Sequence, residues 1–250
     1  MSAPIFSARS VSRDFGGLRA LDTVSVDLSL GSIHAVIGTN GAGKSTLVNV
    51  LSGELSPTTG AITMNGDDIT RWTQPRRARA GIGRSYQRTT IFADLSLHEN
   101  CRLAAQASHQ RFWHWLEPAS RCRRSNEAAD RVLEQTGLSA LRHQIAGSLS
   151  HGKKRQLEIA MSLTTRPQVL LLDEPLAGMG PEETERMLEL LASLRNAHAI
   201  LLIEHDMDAV FQISDVITVM VNGSVIAHGD PESIRNNDAV QAAYLGRAAA

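Results

Sequence analysis

Cysteine is nearly absent. The chain has two in 250 residues, Cys101 and Cys122. Two distant cysteines give no metal-ligand spacing, and a reduced thiol pair is the default reading. An excess of charge is also missing. Lys and Arg number 25 against 26 Asp and Glu, for a net charge of −1. That balance removes any bulk electrostatic case for nucleic acid. No apolar run is long enough to cross a bilayer. Met1-Ser2-Ala3-Pro4 lacks the basic segment and apolar core of a signal peptide. There is no internal repeat and no low-complexity linker beyond the closing Ala248-Ala249-Ala250. What is present is 42% hydrophobic and 20% charged, a composition that buries a sizeable core. The length suits one α/β domain with a small lobe, or two compact domains.

The densest chemistry lies in Gly38-Thr39-Asn40-Gly41-Ala42-Gly43-Lys44-Ser45. It follows the pattern G-x-x-x-x-G-K-S of a phosphate-binding P-loop. An apolar run, 33–37, precedes it, and a helix-like segment from Thr46 follows, the context this motif requires. The glycines let the main chain wrap phosphate and turn N–H groups inward. The helix start adds positive potential. Lys44 is expected to reach the β- and γ-phosphates, and Ser45 to offer its hydroxyl to Mg²⁺. Asn40, Gly41, Ala42, Gly43 and Thr46 complete the expected phosphate cradle.

Val169-Leu170-Leu171-Leu172-Asp173-Glu174 is an unbroken apolar run ending in two carboxylates. Apolar on both faces, it suits a buried parallel strand. Its C-terminal end is where ligands sit in open α/β sheets. Asp173 fits the carboxylate that holds Mg²⁺ through water. Glu174 fits a general base or a residue that orients the attacking water.

Leu149-Ser150-His151-Gly152-Lys153 precedes the helix-like segment 154–163. Read alone, Ser150 is a helix cap. Its spacing from the P-loop and from Asp173-Glu174 resembles the signature motif of ABC (ATP-binding cassette) ATPases. That resemblance implies an anion site at Ser150 and Gly152. It also implies a Q-loop glutamine at Gln87, able to ligate Mg²⁺ or orient water, and a switch histidine at His205. It places Phe15 as the aromatic that stacks on adenine. The resemblance further implies Mg-dependent hydrolysis of ATP to ADP and phosphate, between two copies or two homologous chains arranged head to tail. His151 and Lys153 depart from the usual L-S-G-G-Q, and Gly180 stands where a D-loop Asp or Asn is usual. Gly180 can still cap a helix that begins at Pro181.

The chain is similar, over nearly its whole length, to the branched-chain amino acid importer subfamily. The runs that carry this are Phe15-Gly16-Gly17-Leu18-Arg19-Ala20-Leu21, Leu157-Glu158-Ile159-Ala160, Glu204-His205-Asp206-Met207 and Ala243-Tyr244-Leu245-Gly246. Subunits for urea uptake and lipopolysaccharide export share parts of the pattern. The implied partners are transmembrane permease subunits, a second ATP-binding subunit and, indirectly, a periplasmic solute-binding protein. No nucleic-acid partner is implied. The implied location is cytoplasmic, peripheral on the inner face of the membrane. A soluble P-loop phosphotransferase and an ATP-gated clamp on nucleic acid are the rival functions.

The expected fold is α/β, a P-loop ABC ATPase with a mainly parallel core sheet, an antiparallel β-subdomain and an inserted helical subdomain. One domain spans 1–250, with the helical insertion at about 88–147 and a C-terminal helical extension at 229–250. Alternation predicts strands at 5–11 and at 24–30, the second with Val24, Val26, Leu28 and Leu30 on one face. A strand at 61–64 enters an Asn65-Gly66 turn, and a hairpin turns at Asn222-Gly223. Helical patterns are expected at 102–105, 126–136, 181–194 and 238–245. The basic, aromatic stretch 111–115 and 121–124 reads first as a solvated lobe edge, then as a membrane-proximal face. Ile91, Phe92 and Leu95, just after Gln87, form a candidate permease-docking surface.

Overall fold

The computed structural model of the chain describes residues 3–86, 90–109 and 122–245, and of 108, 109, 244 and 245 only the main chain. Gln87 and the aromatic core of the 111–115 stretch lie outside the described residues.

Two sheets form the frame. In the first, β1 (Phe6–Phe15) and β2 (Leu18–Leu28) pair antiparallel, and β4 (Thr59–Met64) and β5 (Asp67–Asp68) complete the order β2-β1-β4-β5. The second contains β3 (Ile33–Gly38), β6 (Ile82–Arg84), β7 (Val169–Asp173), β8 (Ala199–Ile203), β9 (Val216–Val221) and β10 (Ser224–Gly229). Its order is β10-β9-β3-β8-β7-β6, with antiparallel pairing only between β9 and β10. Both Asn-Gly turns are where alternation places them. Asn65 and Gly66 have φ of 52° and 87°, and Asn222 and Gly223 of 48° and 83°. Two successive positive φ angles match the right-handed twist of the strands they join.

The unbroken apolar strands are explained by coverage of both faces. Leu170, Leu172, Ile200 and Leu202 face one core, with α3 (Leu97–His109), α4 (Arg123–Gln135), α5 (His151–Leu163) and α6 (Pro181–Leu194). Val169, Leu171, Ala199, Leu201 and Ile203 face the other, with α1 (Lys44–Ser52) and the antiparallel sheet. A third cluster joins β9 to α7 (Met207–Ile213), α8 (Pro231–Arg235) and α9 (Asp238–Leu245). The short α2 (Gln74–Arg79) supplies Arg77, which is wholly buried. Its guanidinium donates to the carbonyls of Val50 and Leu51 at the end of α1 and to those of Thr70 and Trp72. It thereby satisfies carbonyls that a helix end leaves orphaned.

Several expected boundaries move. The strand expected at 24–30 runs from Leu18 and stops at Leu28. Leu30, expected on the buried face, is 44% exposed, because the chain turns through Gly31 at φ 80° toward β3. The helix after the P-loop begins at Lys44, not Thr46, and α5 begins at His151, not 154. The weak pattern at 102–105 belongs to the longer α3, whose partly polar face is covered by α4 and α5. Neither α2 nor α7 has a periodicity long enough to read.

One buried polar chain links the two sheets. His34 of β3 is buried. Its Nδ1 is 2.9 Å from the Asp27 carbonyl, its Nε2 2.8 Å from Thr218 Oγ1, and that oxygen 2.9 Å from His228 Nδ1. A carbonyl can only accept, so His34 Nδ1 carries the proton and Nε2 accepts from the Thr218 hydroxyl. Burial pushes the His34 imidazole down from 6.5 to about 4. Above pH 6.5 folded and unfolded chains both hold it neutral. As pH falls from there toward 4, only the unfolded chain takes the proton, so stability is lost across that window and the loss levels off below it. The shift is worth about 3 kcal/mol at the acid limit. His34→Gln keeps a donor and an acceptor but does not titrate. Thermal melts between pH 7 and 4 are expected to show the wild-type chain losing stability more steeply than the variant. Parallel pH profiles would refute the assignment.

Candidate functional site

Three loops leave the same edge of the large sheet. β8 lies between β3 and β7, and all three run parallel. Ile203 pairs with Val36 on one side and with Asp173 on the other. The P-loop, the Asp173-Glu174 pair and Glu204-His205 therefore emerge side by side, at the carboxyl ends of their strands.

They surround a cleft of about 960 Å³. Phe15, Asn40, Gly41, Ala42, Gly43, Lys44, Ser45, Thr46, Glu174 and His205 all line it. Of the residues singled out from sequence, ten thus converge. Asp173 sits beside this cleft without lining it, being only 3% exposed. Ser150 and Gly152 are not among the lining residues either.

The P-loop geometry depends on its glycines. Gly41 and Gly43 have φ of 81° and 98°. A Cβ at Gly43 would lie 2.5 Å from the Ala20 carbonyl, and one at Gly38 would lie 2.3 Å from that of Met220. Lys44 folds back over the loop, with Nζ donating to the carbonyls of Gly38 at 2.7 Å and Thr39 at 3.2 Å. Burial lowers its pKa, and the charges of Glu174 and Asp173 oppose that shift.

The two carboxylates differ in setting. Burial raises the pKa of Asp173, and Arg84, Arg155 and Lys44 pull it back. Among the described residues, its buried Oδ1 has no hydrogen-bond partner. A buried orphan carboxylate oxygen carries a desolvation cost that a cation or its water shell would remove, so this residue fits a hydrated Mg²⁺. Ser45, its partner in that reading, is exposed to the cleft. Gln87, the third expected ligand, lies outside the described residues. Glu174 has φ of +50°, a region that L-residues rarely occupy, and its N–H donates to the Ile203 carbonyl. Strain of this kind is held only where surrounding structure enforces it, and it aims the side chain into the cleft.

His205 is mostly exposed and is anchored from behind. Its N–H donates to Glu204 Oε2 at 3.2 Å, and its Nδ1 lies 3.7 Å from the same oxygen. Glu204 is fully buried, and its Oε1 accepts the Leu176 N–H at 2.7 Å. Burial raises its pKa, against those two backbone hydrogen bonds. It ties the loop after β8 to the loop after β7. Sequence reasoning missed this role, although a carboxylate closing an apolar strand was a visible signal. It also missed Leu18, Arg19, Ala20, Asn222 and Gly223, which line the cleft from the start of β2 and from the β9–β10 turn. Gly223 N–H donates to the Ala42 carbonyl, so the β9–β10 turn props the P-loop.

Phe15 ends β1 at the rim, 43% exposed, with the Arg13 guanidinium 4.6 Å from its ring centroid. Phe15 is thus a partly exposed aromatic in the cleft lining. Ser150 caps α5: its Oγ accepts the Lys153 N–H at 3.4 Å and donates to Glu183 Oε1 at 2.9 Å. A Cβ at Gly152 would lie 2.7 Å from the Glu183 carboxyl carbon. Gly180 is the N-cap of α6 and Pro181 its first residue, as expected.

Residues 21–177 match the family described as ABC transporter. The chain belongs to the ABC transporter family. Residues 224–250 also match the family described as branched-chain amino acid ATP-binding cassette transporter. The chain is 42% identical to the high-affinity branched-chain amino acid transport ATP-binding protein LivG of Salmonella typhimurium, covering 99% of this chain and 100% of that protein. It is 40% identical to BraF, of the same description, from Pseudomonas aeruginosa, again over 99% and 100%. Among solved structures, the ADP conformation of an ABC transporter cassette matches with a TM-score of 0.89 at 29% identity, over 98% of this chain and 100% of that one. A nucleotide-free cassette matches at 0.87 and 30% identity, over 96% and 98%. This ABC protein is thus an ATP-binding, ATP-hydrolysing subunit, of the type that works with transmembrane permease components. Among the described residues, no helix is long and apolar enough to cross a membrane.

Proposed function

We propose that this chain powers a branched-chain amino acid importer by Mg-dependent hydrolysis of ATP. The observation that carries the catalytic part is the convergence of Lys44, Glu174 and His205 on one cleft with Phe15 at its rim. The solute rests on the likeness to LivG and BraF over 99% of the chain.

In this reading adenine stacks on Phe15, and the loop 40–46 cradles the phosphates. Lys44 leaves the Gly38 and Thr39 carbonyls for the β- and γ-phosphates, and His205 contacts the γ-phosphate. Glu174 takes a proton from water as its oxygen bonds to the γ-phosphorus and the bond to the bridging oxygen of ADP breaks. Ser45, Asp173 and Gln87 would hold Mg²⁺, which neutralises phosphate charge when bound. Ser150 and Gly152 serve the cleft of a second subunit, consistent with their absence from the lining of their own. The subunit lies on the cytoplasmic face of the membrane, attached through the permease. A solute-binding protein delivers cargo from the other side. Within the span expected as a helical lobe, 88–147, the described helices α3 and α4 would meet the permease, and α8 and α9 supply the described part of the extension expected at 229–250.

Of the three residues expected to dock, Phe92 is 55% exposed, Leu95 half-buried, and Ile91 packed against the core of α3 to α6. The buried Asn100 fixes this loop by bonding both the N–H and the carbonyl of Phe92. Phe92→Asp is expected to weaken permease-stimulated hydrolysis by about tenfold, as for a truncated interface anchor, while basal hydrolysis holds. Equal loss of both rates, or a lowered melting point, would place Phe92 in the fold instead. Reconstitution with the permease and binding protein should show ATP-dependent uptake of a branched-chain amino acid. Uptake confined to a lipid or a metal ion would reject the solute and leave the ATPase standing.

A further inference from the structure

α5 carries a buried ion pair that the chemistry above does not use. Arg155 and Glu158 are both about 5% exposed, and Arg155 Nη1 lies 2.9 Å from Glu158 Oε2. Each also bonds outward to main chain. Arg155 Nη1 donates to the Tyr86 carbonyl. Glu158 Oε1 accepts the Thr90 N–H at 2.5 Å, with Thr90 Oγ1 3.4 Å away. Tyr86 and Thr90 are the residues on either side of Gln87-Arg88-Thr89. One ion pair therefore grips the chain just before and just after that three-residue span.

The surroundings reinforce the grip. Tyr86 is held a second time, with its ring under the Arg84 guanidinium at 4.5 Å and its hydroxyl accepting from Gln74 Nε2 at 2.5 Å. Arg84 in turn bonds Asn49 and Ser52 of α1 and pairs with Glu54. The charge of Arg155 is also felt at Asp173, where it opposes the effect of burial. The pair thus stands between the signature end of α5, one to two turns away, and the catalytic edge of the sheet.

We infer that Arg155 and Glu158 are positioning residues for hydrolysis, holding the main chain at Tyr86 and Thr90, the two described ends of the span that carries Gln87. The inference rests on the catalytic reading of Gln87 given above. Burying two charges contributes little to stability alone, since an apolar pair of similar volume often does as well or better. Their bonds to two separated backbone groups are what an apolar pair cannot replace. Through α5 the same pair also links Ser150, which serves the partner's cleft, to the residues flanking Gln87 of its own.

The experiment compares Arg155→Met/Glu158→Leu with Gln87→Ala, and with all three changes combined, in the full-length chain with Mg-ATP. Turnover, KM for ATP and melting temperature are measured on each. The apolar double variant is expected to melt near wild type and keep its KM, while kcat falls at least tenfold, the scale of a misplaced catalytic group. Combined with Gln87→Ala it should lose little more, because both act through one group. A folded double variant with wild-type kcat, beside a Gln87→Ala chain that has lost it, overturns the positioning role and leaves Gln87 standing. A Gln87→Ala chain with wild-type kcat removes the role of Gln87, and the positioning role with it. If the double variant does not fold, Glu158→Gln decides, because it keeps the volume and drops the charge that holds Arg155. Its kcat should fall several-fold at constant KM and melting temperature, and an unchanged kcat overturns the inference.

Discussion

Replacing Glu174 by glutamine is expected to lower turnover by about 10²–10⁴-fold, the usual contribution of a general base. Nucleotide affinity should hold. The amide keeps the size of the side chain and the φ of +50° that aims it into the cleft. It cannot take the proton of the attacking water. The phosphate cradle, from Asn40 to Thr46, is left intact. ATP-bound dimers should therefore accumulate, because closure survives and release does not. Steady-state hydrolysis and nucleotide affinity, measured on the same preparation, test this. Near-normal turnover would move the base elsewhere, and loss of both rate and affinity would make Glu174 a binding residue. Asp173→Asn is the useful contrast. Asp173 is buried, with an Oδ1 that has no partner among the described residues, so its loss should weaken the dependence on Mg²⁺ rather than the proton transfer alone.

The second large effect concerns the division of each site between two subunits. Ser150 and Gly152 do not line the cleft that holds Lys44. If they complete the cleft of a partner, Lys44→Ala and Ser150→Arg should each inactivate a homodimer. Mixing the two chains should restore activity. In the mixed pair one site carries both lesions and the other carries neither. With random pairing, half of the dimers are mixed and roughly a quarter of all sites are intact. Hydrolysis in the mixture well above either parent is the expected result. No recovery, with mixed dimers demonstrated by crosslinking near Ser150 and Gly41, would reject the head-to-tail arrangement. The Ser150 hydroxyl now donates to Glu183. Closure must exchange that bond for one to phosphate, which adds to the cost of forming the dimer.

Much of this site is legible in the amino-acid sequence. The P-loop reads from sequence because its requirements are local. Glycine is needed where φ is positive, and lysine and serine follow at the start of a helix. The Asp173-Glu174 pair reads because an apolar strand covered on both faces has a distinctive composition. Ser150 reads as a cap because capping is a contact within four residues. The two Asn-Gly turns read for the same reason. Leu30 was misplaced because alternation carries a strand forward until something stops it, and Gly31 stopped it.

What the sequence by itself determined, then, was the P-loop, the Asp173-Glu174 pair and the Ser150 cap, each with the strand, loop or helix start that carries it. Only the tertiary structure decided how those pieces meet. The placement of β8 between β3 and β7 brings three loops, far apart along the chain, to one edge. No local periodicity encodes that order, because it depends on which sheet faces the helices and the antiparallel layer can both cover. The same holds for the bond from Glu204 to the Leu176 loop, for the β9–β10 turn beneath the P-loop, and for the grip of Arg155 and Glu158 on Tyr86 and Thr90. These are contacts across tens of residues, paid for by burial elsewhere in the fold, and they come into being only when the two cores close around the sheet.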